Sequence, residues 1–385
     1  MKKKLALALV FVMGLSFTAC GKTTVSDSTN EAVSGGVQST DTNEDKESSG
    51  KSDKTTITFI NGFTGGDGEY MTKIVDGFNE SQSDYYIEQL QDADHYTKFK
   101  SGDFDMLIIH ADWISTYHAM GLLREVSDIY DMAGISFEND FHDITKTYAK
   151  YDDGVFAFPL DLYAETTFYN KEYTDEAPKD YNDMIELRDK LDSENSGIYP
   201  YGLPLTGDQQ WAWMTALGQC GVNWVEDEHI KLDTEEACDA FMKIHDMIYK
   251  DHLSPAGLGA DDHFNTFISQ SETAANVKTV VSMTGPWKYT VAKEVLGDNL
   301  GIGTVPQIYG DKKCVPAGGH TFGVSSKVTD EKKIAGIAAF MKYTYQPDVL
   351  LNWADSGQAP VHLATMEVVK ANPEKYPVAA VNYTI

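Results

Sequence analysis

Apolar positions recur along the chain with two periods. At helical spacing, Met71, Ile74, Val75 and Phe78 mark the buried face of a helix over 69–80. Ile334, Ile337, Ala338 and Met341 mark another, capped by Thr329 and followed by Pro347. Helices are also expected over 180–191 and 209–218, and Asp233 with Glu236 forms a capping box ahead of the stripe Ala237, Phe241, Ile244 and Ile248. Short apolar runs predict strands at 56–60, 105–109, 280–283, 300–306 and 322–325. The unbroken DMLII of 105–109 suits a parallel strand covered on both sides. Strands and helices thus alternate from residue 55 onward, which predicts α/β layers rather than a sandwich or a bundle.

One stretch is patterned differently. In residues 156–171, FAFPLDLYAETTFYNK, the positions after Pro159 alternate in two registers. Leu160, Leu162, Ala164, Thr166 and Phe168 fall on one side of an extended segment, and Asp161, Tyr163, Glu165, Thr167 and Tyr169 on the other. Two placements satisfy this pattern: a half-buried edge strand with a wet face, or a strand crossing between two lobes with its polar face lining the cleft.

Aromatic and polar residues gather just past the predicted strands, where open α/β sheets place their ligand contacts. The first strand runs into NGFTGGDG over 61–68, which holds Asn61 and, at its tip, Phe63, either a packed loop anchor or a ligand platform. The loop has no G-x-G-x-x-G pattern and so implies no dinucleotide. His110, Asp112 and Trp113 follow the second strand, Trp287 follows Gly285-Pro286, and His320 follows Gly318-Gly319. Trp211 and Trp213 open the helix over 209–218.

Length and charge narrow the picture. At 385 residues the chain exceeds what one core usually organises, so two lobes are expected. The 31 basic and 59 acidic residues give a formal charge of −28, and no basic patch occurs beyond the first four residues, which argues against a nucleic-acid partner. Lys2, Lys3 and Lys4 precede an apolar run over 5–17, an export signal ending at residue 19. The FTAC ending before Gly21 resembles a bacterial lipobox, which would make Cys20 the lipid-bearing N-terminus of the mature protein. Phe17 stands where that motif usually has leucine, and a plain secretory signal with an incidental cysteine is the alternative. From Cys20 to residue 54 the composition is polar and small, a tether able to hold a domain on the order of 30 Å from a membrane.

The residues at the strand ends suit a polyhydroxylated ligand. Aromatic faces cover the C–H faces of sugar rings, while acids and amides bind hydroxyls. Only Arg124 and Arg188 occur, neither in such a loop, which disfavours a free amino acid or an oligoanion. No catalytic residue is assigned: Asp161 and Glu165 on one strand would stand about 13 Å apart, too far for a glycosidase pair. There is no G-x-S-x-G or H-E-x-x-H motif, and Asp261-Asp262-His263 reads as a solvated loop, so neither a metal nor a cofactor is expected. Cys220, Cys238 and Cys314 read as free thiols or at most one disulfide.

The signal, tether, ITFINGFTGGDGEYMTKIVDGFNES, FPLDLYAETTFYNK, MTGPW and GGHTFGVSS together resemble the extracellular solute-binding proteins of bacterial ABC importers, in their sugar-binding class, similar to the maltose-binding protein. The resemblance implies an α/β, two-lobed periplasmic-binding-protein-like fold with a hinge between the lobes. The first lobe would comprise 55–163 plus 305–345 and the second 164–304 plus 346–385, with the first crossover at 159–164. It also implies that a carbohydrate, an oligosaccharide rather than maltose itself, is captured between the lobes and delivered to ABC permease subunits by a monomeric, lipid-anchored protein on the outer face of the cytoplasmic membrane. The implied ligand residues are Asn61, Phe63, His110, Asp112, Trp113, Asp161, Tyr163, Trp211, Trp213, Trp287 and His320, with Trp353 either a contact or core. Family members normally continue past residue 385 with further helices, so the second lobe is expected to be incomplete. The alternatives are a surface carbohydrate-binding adhesin and a glycoside-acting enzyme.

Overall fold

The computed structural model describes residues 54–384 except 195, 207 and 228. The expected export signal, Cys20 and the tether up to residue 53 lie outside the described residues.

Two sheets carry the fold, each with its own core. The first is five-stranded, in the order Tyr85–Gln91 (β2), Thr55–Asn61 (β1), Met106–His110 (β3), His320–Val324 (β11) and Phe158–Pro159 (β4). Strand β1 is parallel to β2 and β3, whereas β11 runs antiparallel to β3 and β4. Met106 to Ile109 are fully buried, as an unbroken apolar run covered on both faces requires. The helix Gly68–Ser81 lays Met71, Ile74, Val75 and Phe78 on this sheet, joined by Ile337, Phe340 and Met341 of the helix Glu331–Thr344.

The second sheet has the order Leu300–Gly303 (β9), Thr166–Asn170 (β6), Thr279–Thr284 (β8) and Tyr199–Tyr201 (β7). Its core includes Met184, Leu187, Leu217, Ala240, Met247, Val281 and Tyr309. Between the sheets, Asp161–Ala164 (β5) is flanked antiparallel by Ala317–Gly318 (β10) and Ala359–Pro360 (β12). These short strands carry the chain across three times. Val305, Ile308 and Tyr309 still pack with the second core, and Leu350 and Trp353 of the helix Pro347–Asp355 with the first. The crossings therefore fall later than the expected turns near 305 and 346. An apolar stripe shows that a helix is buried without showing on which of two cores.

Of the two placements expected for 156–171, the crossing strand is the nearer: β5 lies between the two sheets, with its polar register buried. Of the residues in β5 and β6 only Leu162 is half-buried, and the rest are buried, including Asp161, Tyr163, Thr167 and Tyr169. Strand β6 is interior to its sheet and β5 is paired on both edges, so neither is an edge strand. The break between them at Glu165 is closed by Asn382, whose Oδ1 accepts from the Ala164 N–H at 2.6 Å while its Nδ2 donates to Thr166 Oγ1 at 3.1 Å.

Two helix starts differ from expectation. Thr234, not Asp233, caps the helix Glu235–Tyr249, accepting from the Ala237 N–H, and Asp330, not Thr329, caps Glu331–Thr344. Either neighbour has a capping side chain, and the backbone entry angle selects one. Phe241 of the expected stripe is 38% exposed, because Ala237, Ala240, Met247 and Ile248 form the buried face instead. Cys220, Cys238 and Cys314 are unpaired.

Candidate functional site

The loop after β1 is shaped by its first residue. Asn61 is buried, and its Oδ1 accepts the Phe63 N–H at 3.1 Å, bending the chain so that Phe63 turns inward. Phe63 then packs against His320 and Trp353 at centroid distances of 4.9 and 4.7 Å. Gly62 leaves room for the ring of His95, since a Cβ there would lie 2.4 Å from the His95 Cε1.

His110 ends β3 beside Tyr96. The Tyr96 hydroxyl accepts the His110 backbone N–H at 2.9 Å and lies 2.5 Å from its Nδ1. Burial pushes the His110 imidazolium pKa down to about 3, so the ring is neutral near pH 7. A neutral ring receiving the Tyr96 proton at Nδ1 carries its own on Nε2. His320 opens β11, and its Nδ1 lies 2.9 Å from Asp161 Oδ2. Asp161 is fully buried and also accepts the Trp353 indole N–H at 2.6 Å.

The opposite wall is aromatic. Tyr163 comes from β5, Trp211 from the helix Gln209–Gln219, and Trp287 from the 3-10 turn Pro286–Lys288 that follows β8. Tyr163 lies 5.7 Å from Trp287 and 6.2 Å from Trp211, and the two indoles are 5.9 Å apart. Together the two walls enclose a cavity of about 420 Å³, lined by Phe63, Asp67, His95, His110, Tyr163, Trp211, Trp287 and His320 with loop residues 62, 64 and 65 and Ile108. A second cavity of about 490 Å³ shares Tyr163 and Trp211 with the first and adds Asp112, Thr147, Tyr148, Gln210 and Met214. The loop and the far wall meet at Gly66, where a Cβ would stand 1.8 Å from Thr290 Oγ1.

Among the described residues, Asp67 is the one carboxylate lining the first cavity, and no Lys or Arg lines it. Burial raises the Asp67 pKa, opposed by the charge of His320 and a hydrogen bond from Gln358. Asp112 in the second cavity is likewise raised by burial.

Of the expected contacts, Phe63, His110, Tyr163, Trp211, Trp287 and His320 line the first cavity and Asp112 the second. Asn61 supports the loop from beneath. Asp161 sits behind His320 rather than on the surface. Trp113 is 42% exposed and stacks on the outer side of Tyr96, 5.4 Å away, and Trp213 turns toward Trp224, 5.6 Å away, in the second core. Trp353 is core. Asp67 and His95 carry no pattern that would have singled them out: one resembles an ordinary turn residue, the other an ordinary helix start. No group of three or more His, Cys, Asp or Glu among the described residues is placed to hold a metal ion.

Residues 73–377 match the family of bacterial extracellular solute-binding proteins. The sn-glycerol-3-phosphate-binding periplasmic protein UgpB of Rhizobium meliloti is 24% identical over 353 residues, covering 82% of this chain and 77% of that protein. The maltotriose-binding protein of Pyrococcus abyssi is 24% identical over 266 residues, covering 67% of this chain and 54% of that protein. Among solved structures, the GacH receptor of Streptomyces glaucescens superposes with a TM-score of 0.71 at 20% identity, covering 86% of each chain. UgpB of Mycobacterium tuberculosis in complex with glycerophosphocholine gives a TM-score of 0.71 at 15% identity, covering 85% of each. Maltose-bound MalE3 of T. maritima gives 0.69 at 20%, covering 86% of this chain and 88% of that one.

Proposed function

The chain belongs to the bacterial extracellular solute-binding proteins, and from that premise we propose that it captures a neutral oligosaccharide between its two lobes and delivers it to an ABC-type permease. The observation that carries this is the lining of the cavity: three aromatic rings on one wall, imidazoles and a carboxylate on the other, and no cation. Aromatic faces suit the C–H faces of sugars. The named relatives include binders of both maltotriose and glycerol 3-phosphate, and the lining favours the first chemistry. A phosphate calls for Arg, Lys or a free helix N-terminus. The helices that start at this cavity, Gly68–Ser81, His95–Ser101 and Gln209–Gln219, each have an aspartate in the N-cap position, Asp67, Asp94 and Asp208.

The second cavity supports an oligomer over a monosaccharide. Tyr163 and Trp211 belong to both cavities, so a chain of rings passing them would contact each aromatic on two sides. In this proposal Asn61 and Asp161 act from behind the lining, and the protein acts as a monomer without catalysis, held to the outer face of the membrane through a lipid on Cys20. No helix of the described residues is long and apolar enough to cross a membrane.

The test is a thermal-shift and calorimetric panel of maltose, maltotriose, tagatose, glycerol 3-phosphate and glycerophosphocholine, with Trp287→Ala as control. A rise in Tm with a neutral oligosaccharide, abolished by the substitution and without release of reducing sugar, is the expected result. A shift produced only by the phosphorylated compounds, or turnover of the sugar, overturns it.

A further inference from the structure

Tyr96, the second residue of the helix His95–Ser101, stands behind the cavity lining, and its hydroxyl serves His110 at two atoms. His110 ends β3 opposite His320 of β11. The next pair along carries the cross-strand bond, from the Ala111 N–H to the Gly319 carbonyl, so the His110 N–H points away from β11. On its other side the pairing of β3 with β1 ends at Leu107. No strand takes the His110 N–H, and the Tyr96 oxygen accepts it at 2.9 Å.

The same oxygen fixes a proton. It lies 2.5 Å from His110 Nδ1 and has no other acceptor among the described residues, so the phenol proton goes to Nδ1. Burial raises the Tyr96 pKa, which keeps that proton on the phenol, and lowers the His110 pKa, which keeps the imidazole neutral near pH 7. The one N–H of the ring is then on Nε2. That atom has no hydrogen-bond partner among the described residues and is not sealed from solvent, so it is the polar atom His110 offers to the cavity. The phenol is held in place by its neighbours. His95, Trp113 and Tyr117 pack around it at centroid distances of 4.1, 5.4 and 5.8 Å.

We infer that Tyr96 is a positioning residue for ligand recognition: by giving its proton to Nδ1 it makes His110 a fixed hydrogen-bond donor at Nε2. The cavity then selects a ligand with an acceptor oxygen at that point, here a hydroxyl or ring oxygen of a sugar, and rejects an ammonium group there. This selectivity rests on the carbohydrate assignment above.

The experiment joins nitrogen NMR of the histidine side chains to calorimetric titration of the full chain. In wild type the His110 signals, assigned by their loss in His110→Gln, should be those of a bare Nδ1 and a protonated Nε2. Tyr96→Phe keeps the ring and removes only the hydroxyl, and both signals should move toward the average of two tautomers. Titration uses maltotriose, or whichever neutral sugar of the panel most raises the wild-type Tm. Tyr96→Phe should weaken binding about 5-fold or more when His110 is present. In the His110→Gln background, where an amide N–H donates with no tautomer to set, the same change should cost less than about 2-fold. A purely structural Tyr96 would cost the same in both. A proton on Nδ1 of His110 in wild type, or equal losses in the two backgrounds, overturns this inference alone. Failure of wild type to bind any neutral sugar overturns the carbohydrate assignment, and the selectivity inferred here with it.

Discussion

Asp161 holds His320 by both backbone and ring: its Oδ1 accepts the His320 backbone N–H at 2.8 Å, and its Oδ2 lies 2.9 Å from Nδ1. The same carboxylate takes the Trp353 indole N–H, so one buried group ties the crossing strand, the start of β11 and the helix Pro347–Asp355 together at the cavity floor. Asp161→Asn would present an N–H₂ to donors and leave at least one of them unpaired. The expected cost is about 2–4 kcal/mol by chemical denaturation, with weaker ligand binding because the His320 ring is no longer held in place.

Trp211 and Trp213 are two residues apart and should separate cleanly. Trp211→Ala removes a wall shared by both cavities and should weaken sugar binding roughly 10- to 100-fold with little change in stability. Trp213→Ala removes a partner of Trp224 at the second core and should lower stability by about 1–3 kcal/mol while leaving affinity unchanged. Titration and denaturation of the two variants side by side check this.

Gly66 meets Thr290 across the cavity mouth and lies outside the left-handed backbone region, so a larger residue fits the loop but not the contact. Gly66→Val should therefore leave the fold intact and hold the walls apart. Weaker sugar binding and a larger radius of gyration in the presence of saturating sugar, by small-angle scattering, are the expected outcomes.

Glu165 is buried with Thr215 as its hydrogen-bond partner, and burial raises its pKa to about 7. Because the folded value exceeds the unfolded one, the folded state binds the extra proton. The stability that this supplies is complete below the ordinary carboxylate range and is lost as pH rises through about 7. Glu165→Gln cannot titrate. Relative to wild type it should gain about 1–3 kcal/mol between pH 4 and pH 8, read from denaturation midpoints across that range.

The sequence by itself determined the elements and the places where chemistry collects. Period set the helices and strands to within a few residues, because a 3.6-residue apolar stripe and an unbroken apolar run each have one way to be buried. The rule that ligands meet the ends of strands in open α/β sheets then pointed to Phe63, His110 and Trp287, all of which line the cavity.

What tertiary structure decided was direction. Asp161, Trp113 and Trp213 are chemically suited to a ligand, yet one faces inward to His320, one outward on Tyr96 and one toward Trp224, since side-chain aim depends on strand twist and helix rotation that no local pattern encodes. The alternation in 156–171 signalled two faces and could not show that neighbours from distant parts of the chain, β10, β12 and Asn382, would pair both edges of β5 and close the break after it. His95 was silent for the same reason. Its ring lines the cavity only because Gly62, more than thirty residues earlier, leaves the space that it fills.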